Sequence, residues 1–413
     1  MKLENTTSMK EVDILEFGIF HWVSTNKTSL PGLTQDGHPS KEFFGFINEG
    51  QSRDLNDITW WIETHLSKWS TKLHFQPLIL CSGGVDSSTL VATASASSSP
   101  YELLHTAYIN HNNNDLSKLS TLLEHFPSIA HIASIDSHKY REGLELLWKN
   151  KILQNTYAPT ICYALNAINH GKSRLLVTGS GPDEMFYGME KYTFDYFKSR
   201  EHLPIPEALE QIDTAYNLNA YLQILNKNGM EIMEQVMNRR RELYSAISNI
   251  CPSIYNAQRM LAYCTVTSQH VSLFDGLAKI NDMTHIAPFL DEDFIKLVFS
   301  IPVQNLIDPG RKDSKVEIGK YHLKKFLEKF MPEIHVWSKK IGFHAPTTSY
   351  MYSTCFQSYF EKMDYDILPK FIDKDKAKKL LLDRLTNHGN KSPTDYFLYS
   401  ILNISELFKR KGN

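Results

Sequence analysis

The feature that most constrains the fold of this chain is an apolar run at 78–81 that leads through two glycines into a helix-forming stretch. The heptapeptide SGGVDSS occupies 82–88 at this junction. Glycine lets the backbone approach a ligand closely, and the first N–H groups of a helix lack partners within the helix. A strand, a glycine turn and a helix in this order therefore predict a phosphate-binding loop. It lacks the G-K-[ST] of a Walker loop and the G-x-G-x-x-G of a dinucleotide site, so it is a different type.

The side chains of the heptapeptide suit the phosphates of a nucleotide. The hydroxyl groups of its serines can donate hydrogen bonds to phosphate oxygens. The carboxylate of Asp86 would lie beside these phosphates, which indicates a magnesium ion that both groups share. The residues predicted to bind ATP or its pyrophosphate here are Ser82, Gly83, Gly84, Val85, Asp86, Ser87 and Ser88, with Asp86 also predicted as a magnesium ligand. The alternative is an ordinary tight turn that only joins a strand to a helix.

Composition and charge exclude several classes of protein. The chain has 413 residues, 42% of them hydrophobic and 22% charged, which is typical of a folded protein of about two or three domains rather than of disordered, collagen-like or coiled-coil chains. The formal charge of −2 gives no basic field, so neither a nucleic-acid nor a membrane partner is expected. The five cysteines are scattered, which argues against a disulfide framework. The N-terminus is charged, unlike a signal peptide, and no run of about 18 apolar residues could span a membrane. A cytoplasmic protein is therefore expected.

The hydrophobic pattern predicts an α/β fold followed by a helical part. Strands are predicted at 77–81, 105–110, 130–136 and 175–178. Helices are predicted at 55–69, 87–96, 116–125, 140–151, 159–170, 206–225, 230–247, 256–278, 317–330, 373–385 and 393–409. Strands separated by helices predict an open, mostly parallel sheet with helices on both faces. The expected parts are a small leading region at 1–72, a nucleotide-binding α/β domain at 73–203 and a mainly helical part at 204–413.

A second stretch, LLVTGSGPDEMFYG at 175–188, repeats the order strand, glycine turn, helix. In a parallel sheet it opens at the same carboxyl-end edge as the first loop, so the two loops share one crevice. Gly179 and Gly181 are predicted to contact the nucleotide, and Asp183 is predicted as the second magnesium ligand. The alternative for Asp183 is that it only caps the helix that follows.

Two further stretches complete a pattern of four, IAPFLD at 286–291 and WSKKIGF at 337–343. The first loop resembles the pyrophosphate loop of the N-type ATP pyrophosphatase (PP-loop) superfamily. Together the four stretches resemble the synthetase domain of the asparagine synthetase family, which includes β-lactam synthetases and lasso-peptide cyclases. The resemblance covers roughly residues 73–343.

The resemblance implies an adenine nucleotide alpha hydrolase-like fold and a two-step reaction that uses ATP and Mg²⁺. A substrate carboxylate attacks the α-phosphorus, pyrophosphate leaves, and an amine attacks the acyl-adenylate to give an amide and AMP. By position in W-x-x-K-x-x-F, Lys340 matches the lysine that stabilises the developing charge, and Lys339 takes that place if the register shifts by one. The alternative is that both lysines are solvated surface residues.

The chain departs from the family pattern where an amine would be deprotonated. Ser180 occupies the position of a glutamate in asparagine enzymes and a tyrosine in β-lactam enzymes, while Thr284 and Ile286 replace a glutamate and an arginine. Ser180 is predicted to be catalytic, although a serine is a poor base without a partner. Candidates for the missing base are His285, His344, Tyr187 and Asp282. Residue 2 is lysine and the loop begins at residue 82, so neither a glutaminase domain nor a glutaminase partner is expected.

The sequence therefore predicts an ATP-dependent ligase that joins a small-molecule or peptide carboxylate to an amine, in specialised-metabolite or modified-peptide biosynthesis. Three alternatives stay open. They are a glutaminase-independent enzyme similar to asparagine synthetase, a tRNA-modifying PP-loop enzyme and a nucleotide-binding homologue without activity. The near-neutral charge, with one arginine cluster at 239–241, argues against the tRNA-modifying enzyme.

Overall fold

The structure is a computed structural model, and it describes most of the chain. The described residues are 10–20, 23, 30–45, 47, 55–71, 76–97, 100–109, 115–152, 155–168, 175–188, 199–213, 217–306, 319–332, 336–337, 345–386 and 396–409. None of the helices in these ranges is long and apolar enough to cross a membrane.

The described residues contain a five-stranded sheet in which all neighbours are parallel, in the order β3-β2-β1-β4-β5. Its strands are β1 (Pro77–Leu80), β2 (Glu102–Tyr108), β3 (Ile129–Ile135), β4 (Leu175–Val177) and β5 (Thr284–Ile286). Two of the three inner strands, β1 and β4, are short apolar runs with mostly buried side chains, as expected for strands covered on both faces. The predicted α/β fold with a parallel sheet is confirmed.

Helices surround the sheet and make up most of the chain after β4. In the first half they are α1 (Glu11–Phe20), α2 (Lys41–Phe44), α3 (Leu55–Thr71), α4 (Val85–Ala96), α5 (Asp115–His125), α6 (Ser137–Lys149), α7 (Ala158–Ala167) and α8 (Pro182–Met185). After these come α9 (Ile205–Ile212), α10 (Leu218–Ile224), α11 (Lys227–Ser248), α12 (Ile254–Ala262), α13 (Ser268–Ile280) and α14 (Glu292–Ser300). The last are α15 (Tyr321–Leu327), α16 (Thr347–Met351), α17 (Thr354–Glu361), α18 (Lys374–Thr386) and α19 (Phe397–Lys409).

The strand order creates a crevice at the carboxyl end of the sheet. β1 pairs with β2 on one side and with β4 on the other, so the chain turns to opposite sides of the sheet after these neighbouring strands. Ligands of open α/β sheets bind at such a switch point. Both glycine loops begin there, the first after β1 and the second after β4. The sequence prediction that the two loops open at one edge of the sheet is therefore met.

Several elements differ from the sequence-based prediction. β5 was not predicted, because its three residues carry too short a pattern and it is defined by pairing with β4. The stretch predicted as one helix at 206–225 is α9 and α10, and the stretch at 256–278 is α12 and α13 joined by the π-helical turn Tyr263–Thr267. β2 begins at Glu102, before the predicted 105–110. The predicted start of the last helix near 393 lies outside the described residues.

One hydrophobic cluster joins the leading helices, the sheet and the C-terminal helices, from Ile14 to Ile404. Polar contacts also cross between these parts. Trp148 of α6 donates from Nε1 to Oδ1 of Asn403 in α19 at 2.9 Å. In α11, Arg240 is fully buried and pairs with Glu16 of α1 and with Asp213. The predicted domain boundaries near residues 72 and 203 stay a prediction.

Candidate active site

The first loop turns sharply between β1 and α4. Gly83 has a φ of +76°, in the left-handed region, and a Cβ there would lie 2.8 Å from Cβ of Lys118. A side chain at this position would therefore be strained and crowded. Gly84 is the N-cap of α4 and offers no side chain to bind the first helical N–H groups. The start of α4 is thus the kind of helix end that binds an anion.

The serines of the loop have different environments. Ser87 Oγ donates to the carbonyl of Gly84 at 3.1 Å, and the N–H of Gly84 donates to Ser82 Oγ at 3.3 Å. These two hydroxyls therefore stabilise the turn itself. Ser88 Oγ is buried and has no hydrogen-bond partner within the described part of the chain. The predicted role of all three serines in phosphate binding stays a prediction.

The second loop packs directly on the first. A Cβ on Gly179 would lie 3.0 Å from Cβ of Asp86, so the backbones of the two loops approach closely because residue 179 has no side chain. Gly181 has a φ of +110° and lies against Leu290, whose Cδ2 would be 2.6 Å from an added Cβ. α8 begins at the next residue and carries Asp183 in its first turn. The loop geometry therefore brings Asp183 to the side of Asp86.

A lysine that the sequence-based prediction missed joins the two carboxylates. Lys320 Nζ lies 2.6 Å from Asp86 Oδ2 and 2.5 Å from Asp183 Oδ1. The lysine side chain is 4% exposed, that of Asp86 17% and that of Asp183 32%. Burial alone would lower the pKa of Lys320, but the charges of Asp183 and Asp86 outweigh burial and raise it well above its ordinary value. The site therefore contains a permanently charged ammonium between two carboxylates.

The backbone around Lys320 is built to place this ammonium. Lys320 has a φ of +59°, which is uncommon for a residue with a side chain, and its N–H donates to the carbonyl of Phe186 at 2.8 Å. A Cβ on Gly319 would lie 2.0 Å from the carbonyl oxygen of Tyr187, and one on Gly188 would lie 2.0 Å from Cε of Lys320. Both glycines are thus needed for the close contact between the second loop and the start of α15.

The sequence pattern did not mark Lys320, because the predicted helix at 317–330 placed this residue inside the helix. In the structure it is the N-cap residue of α15, where the positive end of the helix dipole disfavours a cation. A lysine there needs a carboxylate partner. Its partners come from positions 86 and 183, so their identity depends on tertiary structure and not on local pattern.

The PFLD stretch supports the second loop. Pro288–Leu290 forms a turn of 3-10 helix that presses Leu290 against Gly181. Asp291 caps α14, accepting from the N–H of Asp293 at 3.1 Å, and pairs with His65 at 3.1 Å. In α12, the fully buried Arg259 donates to the carbonyl of Met185 at the end of α8 at 2.8 Å. These contacts fix the loop that carries Asp183.

The predicted lysines of the fourth stretch, Lys339 and Lys340, lie outside the described residues, as does His344. Trp337, from the same stretch, is described. Its indole N–H donates to Glu328, and its ring lies 4.9 Å from Nζ of the buried Lys324. The stretch thus begins beside α15, the helix whose N-cap is Lys320. The catalytic roles of Lys340 and Lys339 stay predictions.

The structure places the other predicted bases in different environments, and these decide which of them could act at the site. Asp282 is exposed in the turn before β5, at the amino end of the strand and away from the crevice. Tyr187 is buried, its hydroxyl donates to the carbonyl of Tyr255 at 2.6 Å, and burial raises its pKa, which makes it a poor proton acceptor at neutral pH. His285 lies in β5 next to β4, close to Ser180. Among the candidates with a described environment, His285 is the one that the fold brings to the second loop.

The family model described as asparagine synthase matches residues 77–401. The chain belongs to the asparagine synthase family. This is the asparagine synthetase family that the four stretches resemble, and the match extends past the fourth stretch into α19. Members of the asparagine synthase family are ATP-dependent ligases, so the family implies ATP-dependent amide-bond formation in general. A sequence comparison with curated proteins found no match.

A buried histidine lies two residues after Lys320, in α15. His322 accepts at Nδ1 from Thr59 Oγ1 at 2.8 Å and donates from Nε2 to the carbonyl of Asn305 at 2.6 Å. Burial outweighs the bond to Asn305 and lowers the pKa of His322 from 6.5 to about 4. The neutral ring is therefore the form that fits the folded protein.

We expect the free energy of unfolding to fall as the pH falls from 6.5 to 4, because the unfolded chain binds a proton that folded His322 resists. The loss across this window is about 3 kcal/mol. Urea unfolding at a series of pH values measures it. The variant His322→Gln keeps one donor and one acceptor, and its curve should be flatter than that of the wild type. Parallel curves for the two proteins would contradict the assignment.

Proposed function

We propose that the protein uses ATP to adenylate a substrate carboxylate, releases pyrophosphate, and transfers the acyl group to an amine to form an amide and AMP. The observation that carries the proposal is the convergence of Asp86 and Asp183 on Lys320 at the switch point between β1 and β4. Two carboxylates and a cation beside the uncapped start of α4 are the groups that bind a metal-bound polyphosphate.

The residues present fit a magnesium ion carried by the nucleotide. The described residues contain no cluster of three or more His, Cys, Asp or Glu side chains that would bind a metal by themselves. Magnesium usually takes one or two carboxylates and completes its shell with phosphate oxygens and water, and Asp86 and Asp183 supply that number. The bound ion would neutralise charge on the phosphate oxygens.

Lys320 supplies a second, fixed positive charge. Because its pKa is raised, the ammonium stays protonated at neutral pH and needs no reorganisation when charge develops on the phosphates. Its burial also keeps water from screening this charge. We propose that Lys320 stabilises the departing pyrophosphate together with the loop at 82–88, and that Lys340, or Lys339, stabilises charge at the reacting centre.

We further propose that the carboxylate belongs to a specialised metabolite or to a modified peptide. Support comes from the departures at Ser180, Thr284 and Ile286, which differ from the asparagine enzymes at the positions expected to handle the amine. In the structure Ser180 is buried in the second loop, between Gly179, which lies against Asp86, and Gly181, which precedes the helix of Asp183, so the replacement lies in a loop of the proposed nucleotide site.

The test measures which products of ATP appear. The protein is incubated with Mg²⁺, ATP labelled at the α- or γ-phosphate, and a panel of acids that contains L-aspartate, β-amino acids and short acidic peptides. We expect AMP and pyrophosphate in an acid-dependent manner, and ATP–pyrophosphate exchange without any amine. ADP and phosphate would contradict the proposal, and ATP binding without turnover for any acid would favour a homologue without activity.

A further inference from the structure

A chain of hydrogen bonds leads from the second loop to the surface through β4 and β5. Ser180 Oγ lies 3.0 Å from Thr178 Oγ1, which lies 2.8 Å from Nε2 of His285. On the other side of the ring, Nδ1 lies 2.8 Å from Oδ1 of Asp275 in α13. Ser180, Thr178 and the His285 ring are buried, whereas the side chain of Asp275 is 46% exposed. The four residues connect the second loop to solvent.

The sheet itself creates this alignment. In β5, His285 is the register partner of Leu176, and the N–H of Thr178 donates to the carbonyl of Ile286 at 3.1 Å, which extends the ladder beyond β4. The pairing fixes the Thr178 hydroxyl against the imidazole. The Phe274 ring packs on the imidazole, with centroids 5.5 Å apart.

The donor and acceptor chemistry of the four side chains sets the direction of each hydrogen bond between them. An ionised carboxylate only accepts, so Nδ1 of His285 donates to Asp275, and in the neutral ring Nε2 must then accept. Thr178 therefore donates to Nε2 and accepts from Ser180. The Ser180 hydroxyl is thus committed to Thr178, and its lone pairs are left to accept a further proton. This supplies the partner that Ser180 needs to act as a base.

We propose that Ser180, Thr178, His285 and Asp275 form a proton relay that deprotonates the attacking amine, an inference that rests on the proposed amide-forming function. As the N–C bond forms and the C–O bond to AMP breaks, the amine nitrogen gives a proton to Ser180 Oγ. Ser180 passes its own proton to Thr178, and Thr178 passes its proton to Nε2 of His285. Asp275 stabilises the resulting imidazolium, and after the amide has left, the proton returns from Nε2 through Thr178 and Ser180 to water in the crevice, which restores the starting arrangement.

The relay depends on the protonation state of His285. Once Nε2 carries a proton, it donates to Thr178, Thr178 donates to Ser180, and Ser180 presents its hydrogen to the crevice instead of its lone pairs. The groups that face the ring from the elements packed on it are Asp275 and Phe274 of α13 and Thr178 after β4, of which Asp275 is the charged one among the described residues. The rate of amide formation should therefore fall at low pH, where His285 binds a second proton.

In this scheme Ser180 touches the reacting amine, while Thr178, His285 and Asp275 act through it as positioning residues. The position of Ser180 supports this division. Its neighbour Gly179 lies against Asp86, its neighbour Gly181 precedes the helix of Asp183, and Ser180 itself keeps 7% exposure. Ser180 thus belongs to the loop that borders the crevice where the nucleotide is proposed to bind.

The first test needs no substrate. Histidine ring nitrogens are observed by NMR in protein labelled with ¹⁵N-histidine, and the His285 signals are identified by their loss in His285→Gln. We expect the neutral ring to carry its proton on Nδ1, and Asp275→Asn to weaken that preference. A neutral ring protonated on Nε2 in the wild type would overturn the relay, because Nε2 could then not accept a proton from Thr178.

The second test separates adenylation from amine attack. With an acid that supports ATP–pyrophosphate exchange and ammonium chloride as the amine probe, Thr178→Val should leave exchange unchanged and slow amide formation about 100-fold. Thr178→Ser should restore the rate, and His285→Gln should remove the acid limb of the pH profile. Equal losses in exchange and amide formation would indicate a structural role and overturn the relay, as would an unchanged rate in Thr178→Val.

His131→Gln is the matched control, because His131 Nε2 pairs with Oε2 of Glu102 at 2.8 Å between β3 and β2, away from the crevice. Neither exchange nor amide formation should change in it. If no acid supports exchange, it is the proposed function that fails. The tautomer of His285 then decides by itself whether the hydrogen-bonded chain exists.

Discussion

Replacing Lys320 with methionine is expected to abolish most ATP turnover and to destabilise the protein. The variant removes the ammonium and leaves Asp86 and Asp183 facing each other across a buried methylene chain. Removing one partner from a buried ion pair costs about 3 to 5 kcal/mol, and we expect the lower value because Asp183 is about one-third exposed. Loss of a fixed charge at the phosphates should slow turnover about 1,000-fold.

Urea unfolding and the release of pyrophosphate measure the two effects of Lys320→Met. The control is Lys374→Met, because Lys374 pairs with Asp366 at 2.9 Å on the surface, where an ion pair contributes at most about 1 kcal/mol. Magnesium alone should stabilise Lys320→Met more than the wild type, since a dication relieves the repulsion between the two carboxylates. Wild-type stability and turnover in Lys320→Met would show that the ammonium has neither role.

The local part of the site could be predicted from the sequence. An apolar run, two glycines and a helix pattern are sufficient to place residues 82–88 and 175–188 at the carboxyl ends of neighbouring parallel strands. The approach of Asp86 to Asp183 follows from that placement. The closeness of the two aspartates could thus be predicted from local sequence patterns and one rule of sheet topology.

The remaining parts of the site depend on contacts between distant residues. Lys320 reaches the carboxylates from a different helix, and its left-handed backbone is stabilised by Phe186. β5 has no sequence pattern of its own and is defined by its pairing with β4. The contact of His285 with Thr178 depends on this pairing, so it could not be predicted from the sequence either. His285 and Ser180 are both candidates from the sequence, but no sequence pattern places them in contact with Thr178.

The single variants Asp86→Asn and Asp183→Asn should resemble each other in turnover and stability. The double variant should differ from both of them by more than they differ from each other. Asp86→Asn and Asp183→Asn each remove a proposed magnesium ligand while they keep the shape of the side chain. A loss of about 4 kcal/mol of transition-state stabilisation corresponds to an approximately 1,000-fold slower turnover for each variant. Each single variant still leaves Lys320 one carboxylate, so the loss of stability should be modest.

The double variant Asp86→Asn/Asp183→Asn is expected to lose more stability than the sum of its single variants. Asp86 and Asp183 are the carboxylates within reach of Lys320 Nζ among the described residues, so the double variant buries an uncompensated ammonium. Its pKa should then fall below the ordinary value, since burial is no longer opposed. The unfolded chain would bind more protons than the folded one, and stability should rise with pH toward the ordinary pKa of lysine.

Adding Lys320→Met to the double variant decides between an electrostatic and a purely steric account. The triple variant contains no charge at these three positions, so it should recover stability and lose the rise of stability with pH, while turnover stays at least as slow as in the single variants. Unfolding curves at several pH values and pyrophosphate release measure these outcomes, and Asp366→Asn is the control for loss of a surface carboxylate. A triple variant less stable than the double would mean that packing of the lysine chain, and not its charge, stabilises the crevice.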